Sequence, residues 1–106
     1  MRHVSPAQLQ SHLAQAAEQL TLLDVREPWE FDVCRIAGSR LVPMSQIVSR
    51  LGELDPQAPT VVICHHGVRS QRVAAYLERS GFGDVMNLVG GVDAWARTVD
   101  PAMPLY

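Results

Sequence analysis

The chain has 106 residues, of which 47% are hydrophobic, so it is long enough for one domain with a real core and too short for two. The formal net charge is −2 and the nine basic residues form no run, which argues against nucleic acid as a partner. The chain begins without the apolar run of a signal peptide and has no stretch long enough to cross a membrane, so we expect a cytoplasmic protein without a membrane partner.

The first segment predicts a short strand and then a helix. Residues 2–4 are a candidate strand at the edge of a sheet. Ser5 precedes Pro6, and Gln8 follows the serine by three residues, which is typical of a helix start with a hydroxyl cap, a proline in the first turn and a capping-box partner. We expect this helix to run to about Gln19.

The middle of the chain predicts two strands and two helical segments. TLLDV, residues 21–25, is apolar without alternation, as in a strand covered on both faces. WEFDV, residues 29–33, predicts one short helical turn, and residues 39–43 predict a weaker strand. In residues 45–54 the apolar positions fall at helical spacing, namely Ile47, Val48, Leu51 and Leu54.

The last third contains the clearest strand of the sequence. Residues 60–64 predict that strand, and residues 70–80 predict a helix that ends at Gly81. VMNLV, residues 85–89, predicts another strand, and DAWAR, residues 93–97, predicts a short helix after a pair of glycines.

Strands that alternate with helices at this spacing indicate βαβ units. The expected fold class is therefore α/β, with residues 1–106 forming a single domain whose parallel sheet of four or five strands has helices on both faces. Ligands of such sheets bind beyond the carboxyl ends of the strands. Residues 24–27 and 64–70 both lie there.

CHHGVRS, residues 64–70, joins the best strand to a helix and carries the strongest chemical signal. Cys64 ends the strand, and backbone amides at the start of a helix have no intrahelical partners, so the amides of residues 65–70 would favour a negatively charged sulfur. Arg69 offers a planar fork for an oxygen-rich anion, and Ser70 adds a hydroxyl. The alternative is an ordinary buried strand cysteine followed by a turn.

These residues resemble the active-site loop of the rhodanese-like sulfurtransferases. LLDVREPWEF, IAGS with the Pro43 that follows, and NLVGGVDAW resemble other segments of that family in the same order. The resemblance implies a parallel sheet flanked by helices and a cysteine that carries sulfane sulfur as a persulfide. By this resemblance Cys64 is catalytic, and the cradle of the persulfide consists of His65, His66, Gly67, Val68, Arg69 and Ser70.

The implied reaction moves sulfur from a small sulfur-containing anion such as thiosulfate to cyanide, a thiol or a sulfur-acceptor protein, without a cofactor. Two other functions stay open. One is a non-catalytic binding or sulfur-carrier module on the same fold. The other is a cysteine phosphatase, which is disfavoured because those enzymes place one more residue between the cysteine and the arginine than the four between Cys64 and Arg69.

Several residues around the loop have two interpretations. Protonated His65 and His66 would stabilise a thiolate or bind an anionic donor; alternatively, they are solvated loop residues whose amides matter more than their rings. We expect no metal site, because adjacent side chains diverge and a further ligand cluster is not evident. Asp24 and Arg26 are candidate supporting groups, with Asp24 accepting loop N–H groups and Arg26 pairing with an acid or lining the entrance, or else they form a turn salt bridge.

Cys34 and the end of the chain complete the set of open questions. Residues 34–39 lack a Gly, a His and a Pro that the family often has there, which puts the local turn in doubt. Cys34 is a candidate resolving thiol for Cys64, although its apolar neighbours favour a packed position. The aromatic side chains of Trp29, Phe31 and Trp95 are expected in the core or at its rim, and residues 99–106 either pack on the domain or contact a partner.

Overall fold

A five-stranded, fully parallel sheet forms the centre of the computed structural model, which describes residues 1–16 and 19–106. In chain order the strands are β1 (Arg2–Val4), β2 (Thr21–Asp24), β3 (Arg40–Leu41), β4 (Thr60–Ile63) and β5 (Val85–Leu88). Their order across the sheet is β1-β5-β4-β2-β3, with β4 in the middle. The predicted α/β class and the upper limit of the predicted strand number are confirmed.

Helices cover both faces of the sheet, as predicted. They are α1 (Pro6–Ala16), α2 (Pro28–Val33), α3 (Val68–Arg79) and α4 (Gly91–Thr98). One apolar cluster joins α1 and α4 to the sheet and includes Leu9 and Trp95, while α3 packs Val73 and Leu77 into the opposite cluster. The centre of the sheet is therefore buried on both sides, which is why β2, β4 and β5 are largely apolar.

Side-chain alternation assigns neighbouring residues to opposite faces. Leu22 and Val61 belong to the cluster with α1 and α4, whereas Leu23 and Val62 belong to the cluster with α3. This period of two continues to Cys64, which belongs to the α3 cluster. Cys64 of the candidate loop is thus on the α3 side of the sheet.

The start of α1 has the predicted capping box. The Gln8 amide donates to Ser5 Oγ at 3.1 Å, and the Ser5 amide donates to Gln8 Oε1 at 2.9 Å. Gly81, predicted as the residue beyond α3, has a φ of +97° and ends that helix. The predicted end of the first helix near Gln19 is not confirmed, since α1 ends at Ala16 and the next two residues lie outside the described part of the chain.

The helix predicted over residues 45–54 is wrong. Two short 3₁₀ turns stand there, Met44–Gln46 and Leu51–Glu53. Gly52 and the adjacent β-branched residues Ile47 and Val48 lower helix propensity, and the side chain of Val48 is 71% exposed instead of facing the core.

Two helix starts also differ from their predictions. The third helix begins at Val68, two residues earlier than predicted, because Gly67 adopts the left-handed conformation before it. The turn predicted for residues 29–33 begins at Pro28, where the side chains and amides of Glu27 and Glu30 form a capping box. Within the described ranges, 1–16 and 19–106, helices of membrane-spanning length and apolarity are absent.

Candidate active site

Cys64 follows β4 at the carboxyl edge of the sheet, where two polar groups contact its sulfur. The Gly67 amide donates a hydrogen bond to Sγ at 3.0 Å, and the Cys64 thiol donates one to Ser70 Oγ at 3.3 Å. Gly67 has a φ of +97°, which turns the chain into α3 and brings this amide onto the sulfur. Cys64 itself is only 1% exposed and belongs to the apolar cluster of α3, so its sulfur is buried with these two groups as its polar contacts.

Asn87, on β5, holds both residues that contact the sulfur, and the sequence did not lead us to predict this role. The buried Ser70 hydroxyl donates to Asn87 Oδ1 at 2.5 Å, and Asn87 Nδ2 donates to the Gly67 carbonyl at 3.4 Å. Both residues that contact the sulfur are therefore held by one side chain. The signal was present, because an asparagine within the otherwise apolar strand VMNLV requires polar partners.

The glycine pair after β5 fixes the backbone of the cysteine loop. A Cβ on Gly91 would lie 2.3 Å from the Cys64 carbonyl oxygen and 2.4 Å from that of His65. The same close approach lets the amides of Val92 and Asp93 donate to these two carbonyls at 2.9 and 3.1 Å. The first turn of α4 therefore anchors the segment that carries the cysteine.

Arg69 does not extend its fork over the loop, contrary to the expectation. Its two terminal nitrogens donate to the two carboxylate oxygens of Glu30 at 2.6 and 2.8 Å. The side chain of Arg69 is 33% exposed, while that of Glu30 is nearly buried. The hydrogen bonds from Arg69 hold the pKa of Glu30 down at about 2, against the opposing effect of burial. Glu30 lay in the predicted helical turn, but its role was not predicted.

Asp24 and Arg26 form a fully buried ion pair below the site. Arg26 donates from Nε and Nη2 to Asp24 at 2.8 to 3.1 Å, and its amide donates to the same carboxylate. The expectation was that Asp24 accepts hydrogen bonds from the cysteine loop. It accepts them from Arg26 instead. Arg26 does not line the entrance, because its Nη1 donates to the Glu30 carbonyl and its Nη2 also donates to the Cys34 carbonyl. The salt-bridge alternative describes this pair.

Tyr106 packs back on the domain and connects these groups. Its ring stacks on the His65 ring with centroids 3.9 Å apart. Its hydroxyl accepts a hydrogen bond from Arg26 at 2.9 Å and donates one to Glu30 at 2.9 Å. Burial raises the pKa of Tyr106 to about 12, so the phenol stays a donor at neutral pH. Trp29 meets the Tyr106 ring edge-on at the rim of the site.

The two histidines after Cys64 stack on each other, with centroids 4.0 Å apart. Burial, together with the neighbouring His66, lowers the pKa of His65, which disfavours the protonated alternative for this residue at neutral pH. The expectation that their side chains diverge is wrong. Ligand atoms of His65, His66 and Asp93 lie within 4.8 Å of one another, which is close enough for a metal ion, although Arg97 already donates to Asp93 at 3.0 Å.

Cys34 lies in a different part of the core from Cys64. Its side chain belongs to the cluster with α1 and α4, whereas Cys64 belongs to the cluster with α3, so the sheet separates the two. Both are free thiols. A packed position is the observed one, and direct exchange between the two sulfurs is incompatible with this arrangement.

Two of the predicted cradle residues, Gly67 and Ser70, contact the Cys64 sulfur, and Asn87 of β5 holds both. Arg69 is bonded to Glu30, and the rings of His65 and His66 stack on each other. The Gly67 amide is a donor already aimed at the sulfur, and such a pre-oriented dipole can stabilise negative charge without rearranging.

Comparisons with known proteins agree with this geometry. A model of the Rhodanese-like domain matches residues 5–98. The "Probable adenylyltransferase/sulfurtransferase MoeZ" of Mycobacterium tuberculosis is 37% identical over 105 residues, which cover 97% of this chain and 26% of that protein. The "Thiosulfate sulfurtransferase GlpE" of Pseudomonas aeruginosa is 37% identical over 101 residues, covering 95% of this chain and 88% of that protein. The chain thus spans about a quarter of the first relative and most of the second.

Solved structures show the same fold. A rhodanese-like domain protein from Staphylococcus aureus superimposes with a TM-score of 0.85 at 28% identity, covering 100% of this chain and 99% of that one. The structure of reduced CoADR-RHD from Bacillus anthracis gives a TM-score of 0.86 at 27% identity, covering 100% of this chain and 18% of that one.

Proposed function

Because the chain belongs to the rhodanese-like domain family, we propose that it is a sulfurtransferase in which Cys64 carries sulfane sulfur from a donor to a thiophilic acceptor. Relatives named thiosulfate sulfurtransferase, 37% to 42% identical to this chain, support the activity. The donor class includes thiosulfate and thiol persulfides, and the acceptor class includes cyanide and thiols.

The reaction has two displacement steps at Cys64. The thiolate attacks the outer sulfur of thiosulfate, an S–S bond forms at Cys64, the S–S bond of the donor breaks, and sulfite leaves with its electron pair. Cyanide then attacks the outer sulfur of the persulfide, forms thiocyanate and returns the electron pair to the Cys64 thiolate. Charge and atoms balance in each step, so no external oxidant, reductant or cofactor is needed.

The polar contacts at Sγ are the observation that carries this proposal. The Gly67 amide and the Ser70 hydroxyl meet the sulfur, and Asn87 holds both of their residues in place. The Gly67 amide donates to the sulfur and so stabilises a charged sulfur or persulfide, whereas Ser70, whose hydroxyl proton goes to Asn87, accepts from the Cys64 thiol.

Cys64→Ser tests the assignment, with Cys34→Ser as the matched control for the loss of one sulfur atom. Thiocyanate formation from thiosulfate or glutathione persulfide should fall to the uncatalysed rate in Cys64→Ser and persist in Cys34→Ser. Equal turnover in the two variants would refute the assignment, and loss of turnover in Cys34→Ser alone would move the chemistry to the other cysteine.

A sulfur-carrier or binding module is the second candidate, and the near-complete burial of Cys64 favours it. A carrier would acquire sulfur on Cys64 but release it to cyanide or small thiols no faster than a model peptide persulfide. Single-turnover measurements with the preloaded protein distinguish the two functions. The phosphatase alternative is disfavoured further because Glu30 occupies the fork of Arg69 that would hold a phosphoryl group.

A further inference from the structure

Three arginines around the cysteine loop have acidic partners. Arg69 is paired with Glu30 at the loop, and Arg26 is paired with Asp24 beneath it. On α4, Arg97 in the last turn is paired with Asp93 in the first turn, and Asp93 also lies 4.0 Å from the exposed His66. These pairs sum to no net charge. An anion that approaches Arg69 therefore meets a guanidinium whose charge Glu30 already compensates.

Glu30 is held firmly in its place within the Arg69 fork. Besides the two bonds from Arg69, its carboxylate accepts a hydrogen bond from the Tyr106 hydroxyl at 2.9 Å and one from the Glu27 amide at 2.9 Å. Four donors satisfy one nearly buried carboxylate, so neither its displacement nor its neutralisation is easy. A donor that carries a sulfonate must compete with this internal anion for Arg69.

From this arrangement we infer that Glu30 is a specificity-determining residue, which disfavours donors that carry a sulfonate on the sulfane sulfur and favours sulfane sulfur carried on a thiol. The inference rests on the proposed function of Cys64. A thiol persulfide carries at most one negative charge on its sulfurs, whereas thiosulfate brings a second charge on its sulfonate group towards the paired carboxylate. Repulsion of the wrong donor is as effective a source of specificity as attraction of the right one.

The favoured reaction has the same balance as the thiosulfate reaction. The Cys64 thiolate attacks the outer sulfur of R–S–SH, a new S–S bond forms at Cys64, and the donor S–S bond breaks. The thiolate R–S⁻ leaves with the electron pair, and the proton stays on the new persulfide. No sulfonate has to be accommodated beside Glu30 in this step.

Glu30→Gln tests the inference because glutamine keeps the size and one acceptor oxygen but removes the charge. We expect the ratio of kcat/KM for thiosulfate to kcat/KM for glutathione persulfide to rise about tenfold or more, as an uncompensated Arg69 gains a charge-assisted bond to the sulfonate. The gain should appear mainly as a lower KM for thiosulfate and should weaken as ionic strength rises. Glu53→Gln is the matched control, since Glu53 also pairs with two arginines, Arg40 and Arg50, outside the loop.

A double variant shows whether the gain acts through Arg69. Adding Arg69→Gln to Glu30→Gln should abolish the preference for thiosulfate that the single variant acquires. The wild-type protein supplies a test that does not depend on any variant's folding. Its kcat/KM should be higher for glutathione persulfide than for thiosulfate, and the thiosulfate value should change little with salt.

Three results distinguish a failure of the inference about Glu30 from a failure of the proposed function of Cys64. An unchanged donor ratio in Glu30→Gln, or an equal fall for both donors, would overturn the inference and reduce Glu30 to a residue that holds the loop. A wild-type preference for thiosulfate that fades with salt would also overturn it. If neither donor places sulfur on Cys64, the proposed function itself fails, whatever Glu30 does.

Discussion

Two arginine–carboxylate pairs of similar geometry lie within one small region but in different surroundings. Both side chains of the Asp24–Arg26 pair are 0% exposed, and its members are two residues apart at the end of β2. The Glu30–Arg69 pair joins α2 to the first turn of α3, and its arginine reaches solvent at the cysteine loop. The first pair is enclosed by protein, whereas the second is open to a ligand.

This difference in solvent access indicates that the Asp24–Arg26 pair serves stability and that the Glu30–Arg69 pair serves selectivity. Arg26 has all its donors occupied by the protein, including the carbonyls of Glu30 and Cys34 and the hydroxyl of Tyr106, so an external anion has nothing to bind. Arg69 differs because only the carboxylate of Glu30 stands between its fork and an anionic donor. Changes in the first pair should therefore alter unfolding, and changes in the second should alter the choice of substrate.

The largest expected effect comes from breaking the enclosed pair. Arg26→Met leaves the Asp24 carboxylate buried without its partner, and we expect the free energy of unfolding to fall by about 3 to 5 kcal/mol in urea titrations. The double variant Asp24→Leu with Arg26→Met should recover most of that loss, because it removes both charges. A single variant as stable as the wild type would contradict the structural role of this pair.

A substitution at Gly91 tests whether the close backbone contact between Gly91 and the cysteine loop, rather than either ion pair, sets the shape of that loop. Gly91→Ala should lower the free energy of unfolding by about 2 to 4 kcal/mol, since the new Cβ meets main-chain atoms at a φ of +60°. Gly38→Ala is the control, because its φ is +85° but a Cβ there has open space. Equal losses in the two variants would show that strain alone, and no contact with the loop, explains the effect.

Acid titration separates the charge of Glu30 from its packing. The pKa of Glu30 is about 2 in the folded protein and lies below its ordinary value, so its stabilising contribution is present above the ordinary pKa and is lost as pH falls towards 2. Between pH 5 and 2, as a rough window, we expect the wild type to lose on the order of 2 to 3 kcal/mol more than Glu30→Gln. Parallel pH profiles would contradict the paired state of Glu30.

The smallest expected effect is that of the hydroxyl that links the two pairs. Tyr106→Phe keeps the ring on His65 but removes one bond to Glu30 and one from Arg26, so we expect a loss of about 1 kcal/mol in thermal or urea unfolding. Tyr76→Phe, which removes a hydroxyl from α3, is the control. A larger loss in the control than in Tyr106→Phe would argue against the linking role.

The sheet and the cysteine loop were predictable because each depends on a local pattern. Four-residue apolar runs and the turn glycine of CHHGVRS report directly on strands and on a left-handed turn. The helix predicted for residues 45–54 was wrong because the spacing of the apolar residues is helical, whereas Gly52 and the β-branched residues of this segment oppose a helix.

The partners of the site were not predictable from local patterns, because they come from distant parts of the chain. Glu30 reaches Arg69 across 39 positions, and Tyr106 reaches Glu30 across 76. Such pairings depend on how the helices pack on the sheet, which a single sequence does not specify. Only Asn87 carried a local signal, as a polar residue in a buried strand.

The most direct test of the account is the mass of the protein after exposure to a sulfane donor. Peptide mapping after treatment with glutathione persulfide or thiosulfate should find one added sulfur on Cys64 and none on Cys34, and cyanide should remove it. A Cys64 peptide that stays unmodified with both donors, or sulfur found on Cys34 instead, would contradict the claim that this loop carries sulfur.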